Sequence, residues 1–232
     1  MAQDGKAEGA TTASRIFDIL RHDLVNGRFT AGEKLGISTL REHYQVGLSP
    51  LREALNRLAA YGLLIQENQR GFRVPRLTRV ELDDITEMRR QLEGMALERA
   101  IRHGDVKWES LLLAARHRLM RADNDPNQIE QWEQHHSHFH RTLVAPCQSI
   151  WLLRFIQQLH DQFDRYRRMV PPLPSVRSTL DAQHGELVEL ALARDARGAR
   201  ALLDRHIDLS YEVALGSCAD AVGPADSMSR PG

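Results

Sequence analysis

From Thr78 to Gly216 the sequence repeats one pattern, in which apolar residues recur every three or four positions without any alternating strand pattern. Thr78 and Glu81 have the spacing of a capping box that begins the first helix, and Gly104 ends it. Further helices are predicted at Val106 to Ala122, Asn127 to Ala145, Ile150 to Met169, Val176 to Arg194 and Ala196 to Gly216. Consecutive amphipathic helices with short connections fold as a bundle. We therefore expect a bundle of six to seven helices, with a core large enough to enclose a pocket.

The first 76 residues contain three shorter helical patterns instead. The first covers residues 12 to 26, and Gly27 follows as a left-handed cap. A second short helix is predicted to begin with Ser38 as its N-cap. The third is predicted to begin at Ser49-Pro50 and to run to about Tyr61, because serine is a good N-cap and proline is tolerated at the first helical position.

Two short strands are predicted after the third helix, at residues 63 to 66 and 72 to 75, and residues 67 to 71 form the turn between them. Three helices followed by a hairpin give the element order of a winged helix-turn-helix, whose third helix enters the major groove of DNA. The predicted fold is therefore mostly α. Its parts are a disordered segment at 1–11, the winged helix-turn-helix at 12–76, the helical domain at 77–216 and a disordered tail at 217–232.

Several residues of the first part are candidates for contacts with double-stranded DNA. Arg52 lies on the first turn of the third helix, where a guanidinium group can pair with guanine O6 and N7 or with phosphate. Hydroxyl groups beside helix N-termini can donate to phosphate oxygens. The candidate DNA-binding residues are Ser38, Thr39, Ser49, Arg52, Asn56, Arg70 and Gly71. The alternative is that Arg52 forms a surface ion pair with Glu53 or Glu42, and periodicity alone leaves both interpretations open.

Charge and cysteine content narrow the class of protein. The formal net charge is zero, but residues 1 to 76 hold 11 Lys and Arg against 8 Asp and Glu, which is a modest basic excess in the part predicted to bind DNA. No apolar stretch approaches the roughly 20 residues of a membrane-spanning helix. With only two cysteines and no apolar signal segment at its start, the chain is expected to be cytoplasmic and not to bind membranes.

The first 76 residues also resemble a known family. The string from Ser49-Pro50-Leu51-Arg52-Glu53 to Leu58, followed by Gly62-Leu63 and Arg70-Gly71-Phe72-Arg73-Val74, is similar to the DNA-binding domain of GntR-type bacterial regulators. The chain departs from that pattern at Ala31, where proline is usual, and at Gly47-Leu48, where Ser-Arg is frequent. The resemblance implies a DNA-binding regulator that lacks one common DNA-contacting arginine.

Histidines in the predicted bundle suggest a metal site. His136 and His140 are four residues apart on one helix face, a spacing at which two imidazoles can bind one ion. His184 and His206 lie on the apolar stripes of the last two helices, so all four are expected to point inward. Four imidazoles suit a borderline divalent ion such as Zn or Ni. The alternative is that they are buried histidines satisfied by hydrogen bonds to the protein.

The helical part resembles the effector domain of the FadR-like branch of the GntR family, the FCD domain. Phe139-His140, His184 and His206 match its histidines, which in many of those domains hold a divalent metal together with an aspartate. His136 stands at the position of that aspartate. The change keeps a possible ligand but removes a negative charge. The resemblance therefore implies either a metal bound by His136, His140, His184 and His206 or, as in some relatives, an organic acid bound in the same pocket without metal.

Arg89 matches the arginine that commonly binds the effector carboxylate in this domain, and its planar fork suits such a ligand. A salt bridge from Arg89 or Arg90 to Glu93 is the alternative. The chain is also similar to the subgroup of carbon-starvation-induced regulators, which sense glutarate-like acids. The strings that carry this likeness are Gly104-Asp105, Trp108-Glu109, His117-Arg118-Leu119 and Arg165-Tyr166-Arg167-Arg168.

The leading hypothesis is a homodimeric repressor that binds a palindromic operator and is released by a small carboxylate. A regulator that responds to the metal itself is an alternative. A third hypothesis is a hydrolase that uses a metal-bound water as nucleophile. The histidine motif contains no evident general base, and the chain lacks a nucleophile elbow or a glycine-rich phosphate loop, so we do not expect an enzyme.

Overall fold

The computed structural model describes residues 11–67, 71–123, 129–169 and 173–221, the last five of these by backbone alone. The chain divides into two compact units, Met1–Leu77 and Thr78–Gly232. Of the two terminal segments predicted to be disordered, only Thr11 and residues 217–221 belong to the part that is described.

The first unit combines three helices with a small antiparallel sheet. Its elements are α1 (Thr12–Val25), β1 (Lys34–Leu35), α2 (Ile37–Tyr44), α3 (Leu48–Ala60), β2 (Ile65–Glu67) and β3 (Gly71–Arg73). The strand order is β1-β3-β2, and Phe72 of β3 faces Leu35 on one side and Gln66 on the other. The mostly helical fold predicted for this part, three helices with a hairpin, is confirmed.

One apolar core holds these elements together. Leu20 of α1, the α3 residues Leu51, Leu55 and Leu58, and Leu63 after α3 are all fully buried. Their spacing along α3 puts one stripe of the helix into the core. The polar side of α3 is left at the surface.

Two helices begin two residues before their predicted starts. Gly36 and Gly47 are the N-caps of α2 and α3, so Ser38 and Ser49 lie inside the first turns and do not cap them. The reason is that the glycine carbonyls accept the first helical hydrogen bonds, from Leu40 N at 3.0 Å and from Leu51 N at 3.3 Å.

The hairpin also differs in detail from the prediction. Leu63 and Leu64 are core residues that precede the strand, and β2 begins only at Ile65. The strand β1 is an addition that the sequence analysis missed, because its two residues carry no pattern of their own and pair with β3 from far along the chain. Residues 68–70, which include the candidate Arg70, lie outside the described part of the chain.

The second unit is a helical bundle. Its helices are α4 (Arg79–His103), α5 (Val106–Asp123), α6 (Ile129–Val144), α7 (Ile150–Arg167), α8 (Pro174–Leu192) and α9 (Ala196–Ala221), with a 3₁₀ turn at Ala145–Cys147. The predicted bundle is confirmed. In the described ranges no helix is both long and apolar enough to cross a membrane.

Helix α4 packs against α7 and α9, and its predicted N-cap is present, since Thr78 Oγ1 accepts a hydrogen bond from Glu81 N at 3.2 Å. The predicted end of α9 at residue 216 is wrong, because the helix continues to Ala221. Residues 217 to 221 contain no glycine or proline, so nothing in that stretch stops the helix.

Candidate functional site

The exposed face of α3 carries the first group of candidates. Ser49, Arg52 and Asn56 are all exposed, opposite the buried stripe of the helix. Within the described ranges, the Arg52 guanidinium forms no ion pair, so the alternative pairing with Glu53 or Glu42 is not seen. These side chains are free to meet a ligand.

A neighbouring arginine has a different role. Arg57, which the apolar stripe of α3 leaves on its outer face, donates to Ser14 Oγ at 3.2 Å and lies over the ring of Phe17, 4.5 Å from its centre. Both contacts are to α1. Arg57 therefore stabilises the packing of α1 on α3.

The remaining candidates of the first unit lie on α2 and in the hairpin. Ser38 and Thr39 are exposed on the first turn of α2. Gly71 begins β3 with a φ of 102°, in the region that favours glycine, and a Cβ added there would lie 3.5 Å from the Leu35 carbonyl oxygen. Gly71 thus permits the backbone conformation of the hairpin.

In the second unit, three helices bring four histidines together. His136 and His140 come from α6, His184 from α8 and His206 from α9. The Nε2 atom of His140 lies 3.1 Å from that of His136 and 3.3 Å from that of His184. One ring nitrogen from each of the four lies within 4.8 Å of the others. The structure thus brings together all four histidines that the sequence analysis selected.

These imidazoles are held in their neutral form. Burial, with the charge of nearby Arg89, lowers the pKa of His206 to about 3. Burial also lowers the pKa values of His136, His140 and His184 well below the ordinary value, and the mutual proximity of the rings adds to the effect. Neutral imidazoles present lone pairs, which is the form that binds metal ions.

Neighbouring side chains orient two of the rings. His206 Nδ1 lies 3.0 Å from Gln183 Oε1, and a hydrogen bond there fixes the tautomer that leaves Nε2 free. The indole of Trp132 stacks on His136 with ring centres 4.7 Å apart. His184 Nδ1 is buried and has no hydrogen-bond partner among the residues described.

Arg89 lies beside the histidines and lines the same cavity. It is 5% exposed, and its Nε donates to Glu93 Oε1 at 2.7 Å, so the salt bridge considered as the alternative is present. Its Nη1 is buried and finds no hydrogen-bond partner in the described part of the chain. The Nε atom of Arg89 is therefore bound to Glu93, while its Nη1 atom is available to donate to a ligand.

Helix α7 supplies site residues that the sequence analysis missed. His160, Phe163, Asp164 and Arg167 recur at helical spacing and line the same cavity as Arg89. His160 Nε2 lies 2.9 Å from Glu93 Oε1, and the Arg89 guanidinium lies over the Phe163 ring at 4.2 Å. Their spacing was a usable signal, but it did not reveal which neighbouring helix this face meets.

The acidic groups near the cavity are already paired with cations. Burial raises the pKa of Glu93, but the opposing effect of Arg89 and His160 is larger, so the net pKa is lowered. Arg167 donates to Asp164 at 3.0 Å and also binds Glu133. The cavity itself has a volume of about 20 Å³, which is room for about one water molecule.

Comparison with protein families gives one match for each compact unit. Residues 12–74 match the gntR family of bacterial regulatory proteins, and residues 84–209 match the FCD domain.

Individual proteins resemble the chain over most of its length. It is 37% identical over 202 residues to the uncharacterized HTH-type transcriptional regulator BphR of Paraburkholderia xenovorans, covering 85% of this chain and 82% of the relative. It is 36% identical over 196 residues to the HTH-type transcriptional repressor GlaR of Escherichia coli, covering 81% and 89%. The solved structure of Escherichia coli McbR/YncC superposes with a TM-score of 0.80 at 22% identity, covering 90% of this chain and 100% of that one. This last likeness supports the fold alone.

Proposed function

The chain belongs to the GntR family of bacterial regulatory proteins and carries an FCD domain, and from this premise we propose that a divalent metal and a small carboxylate bind in its histidine pocket and control DNA binding. The protein is a DNA-binding transcription regulator, and the hydrolase hypothesis is set aside because its relatives are regulators. The observation that carries the proposal is the cluster of four neutral imidazoles. Three of them, His136, His140 and His206, line one cavity together with the buried Arg89.

The donor set fits a borderline divalent ion such as Zn²⁺ or Ni²⁺. Imidazole is a preferred ligand of these ions. One ring nitrogen from each of the four histidines lies within 4.8 Å of the others, so the four are close enough together to hold one ion. When bound, the ion supplies a Lewis-acidic position for an oxygen ligand.

Charge balance favours an anionic effector. Because the four imidazoles are neutral, the ligand set does not offset the two positive charges of the ion. Glu93 is already paired with Arg89, and Asp164 with Arg167. A buried charge without a counter-charge is costly. An anion that enters the pocket is therefore the natural partner, and a carboxylate supplies both the charge and the oxygen donors.

Arg89 supports the same class of ligand. A buried N–H without a partner costs about 1–3 kcal/mol, and Nη1 of Arg89 is such a group among the described residues. A carboxylate oxygen would accept from it while the metal binds the same or a second carboxylate. The present cavity of about 20 Å³ is smaller than a dicarboxylate, so binding must displace lining side chains.

Several of those lining side chains lie on α7, and this helix connects the cavity to the start of α4. His160, Phe163 and Asp164 of α7 line the cavity. Two residues further along, Tyr166 bonds to Thr78 and Glu81, at the start of the second compact unit. We infer that displacement of α7 by a ligand is passed through Tyr166 to the start of α4.

We further propose that the protein is a homodimeric repressor. In each chain α3 is the recognition helix, and two copies of it gain affinity by reading symmetric half-sites. The name of the relative GlaR as a transcriptional repressor supports the direction of control.

Elemental analysis tests whether the pocket binds a metal, and calorimetry tests whether it binds an acid. We expect the purified full-length protein to contain about one Zn or Ni per chain, and succinate, glutarate or adipate to bind it in the metal-loaded form but not after chelation. If the protein binds no divalent metal, the proposal fails. If metal binds and alters DNA affinity while no acid binds, the regulator responds to the metal itself.

A further inference from the structure

One apolar side chain on α3 does not follow the pattern of the others. Leu51, Leu55 and Leu58 are fully buried, whereas Leu48, the first residue of the helix, is 42% exposed. A single exposed leucine is ordinary on a protein surface. What makes this one informative is its position relative to the DNA-binding candidates.

Leu48 shares a ridge of the helix with two of those candidates. Residues four apart lie one turn above another on the same face of a helix, and Leu48, Arg52 and Asn56 have this spacing. All three are exposed. In helix-turn-helix proteins the N-terminal residues of the recognition helix contact the base edges. Leu48 is therefore the ridge residue closest to the end that enters the groove.

The chemistry of leucine restricts what it can recognise there. It has no donor or acceptor, so it cannot pair with the polar edges of guanine, adenine or cytosine. The 5-methyl group of thymine is the apolar feature of the major groove, and apolar side chains are its usual partners. Contact with that methyl group removes both apolar surfaces from water.

We propose that Leu48 contacts the 5-methyl group of a thymine in each half-site, next to the base pair that Arg52 reads. This inference rests on DNA binding through α3 and requires no effector. Leu48 would then contribute to sequence specificity, in addition to the polar contacts that Arg52 and Asn56 make with DNA.

Deoxyuridine substitution tests the contact, because deoxyuridine pairs as thymine does but lacks the methyl group. A specific duplex is first selected from a random library with the full-length protein. Each thymine is then replaced in turn, and affinity is measured by fluorescence anisotropy. We expect one position per half-site at which the replacement weakens binding about fourfold, which corresponds to one buried methyl group. The variant Leu48→Ala is expected to bind the thymine duplex and the duplex with deoxyuridine at that position with equal affinity.

Ile19→Ala is the matched control, since Ile19 is 46% exposed on α1 and the change again shortens an apolar side chain. It should retain the full preference for thymine. The inference is overturned if no thymine shows a methyl effect, or if Leu48→Ala keeps the preference of the wild type. A failure to select any specific duplex would instead contradict DNA binding itself, so the two results are distinguishable.

Discussion

The hydroxyl group of Tyr166 accepts a hydrogen bond from the backbone N–H of Thr78 at 3.2 Å, across 88 residues of sequence. The same hydroxyl donates to Glu81 Oε2 at 2.7 Å, and the Tyr166 side chain is fully buried. Burial, together with this bond to Glu81, raises the pKa of Tyr166, so the phenol keeps its proton. Helix α7, which lines the cavity beside the histidines, is thereby joined to the first turn of α4, at the start of the second compact unit.

Replacing Tyr166 with phenylalanine should weaken the coupling between effector and DNA. The ring stays in the core, but the bonds to Thr78 and Glu81 are lost, at a cost in stability of about 1 kcal/mol. We expect the metal-loaded variant to bind the acid with unchanged affinity, while the acid alters operator affinity less than in the wild type. Calorimetry and anisotropy measure the two quantities.

Tyr211→Phe is the control for this change. Tyr211 also donates to a carboxylate of α4, Asp83, at 2.6 Å, but it lies at the surface. Its removal should leave the coupling intact. Equal loss of coupling in both variants would show that any weakening of α4 produces the effect, against a specific role for Tyr166.

The metal content should depend on His140. This residue is the member of the cluster closest to two others, at 3.1 and 3.3 Å between ring nitrogens. We expect His140→Ala to lose stoichiometric metal in elemental analysis, whereas His138→Ala, on the same helix but outside the cluster, should keep it. Retention of metal by His140→Ala would place the ion elsewhere.

Arg89 should determine the affinity for the acid and not the metal content. The substitution Arg89→Lys keeps a positive charge for the buried Glu93, which would be strongly destabilised without one. Lysine lacks the fork of donors. We expect about tenfold weaker acid binding, which matches one charge-assisted hydrogen bond of about 1.5 kcal/mol. The neighbouring Arg90→Lys, whose side chain pairs with Asp208, should bind the acid as the wild type does. Unchanged affinity in Arg89→Lys would remove this residue from the site.

Arg52 should contribute to operator binding but not to acid binding. Its side chain is exposed and forms no ion pair in the part of the chain that the structure describes, so Arg52→Ala should fold normally. We expect specific binding to weaken by about 1–3 kcal/mol per half-site, with acid affinity unchanged. Arg15→Ala removes the same charge from the exposed surface of α1 and should have a smaller effect. The assignment is wrong if the two variants bind the operator equally.

The order of the helices could be predicted because each buries a stripe of apolar residues long enough to show its period. The convergence of His136, His140, His184 and His206 followed from the same periodicity together with the family resemblance. Those positions lie on apolar stripes, and such stripes meet in the core of a bundle.

Other features depend on contacts that local patterns do not record. Strand β1 exists only through its pairing with β3. The starts of α2 and α3 are set by glycine carbonyls and not by the serines that follow. The pairing of His160 with Glu93 joins α7 to α4. Helical spacing can indicate which residues share a face of α7, but not which helix that face meets.

Operator affinity in the presence and absence of a bound acid tests the central claim most directly. The dissociation constant of the metal-loaded, full-length protein for its selected duplex is measured while succinate, glutarate and adipate are each titrated. We predict that at least one acid raises this constant by about 5- to 150-fold, the range of typical allosteric coupling. An acid that binds with a measurable calorimetric signal yet leaves the constant unchanged would contradict control of DNA binding by the pocket.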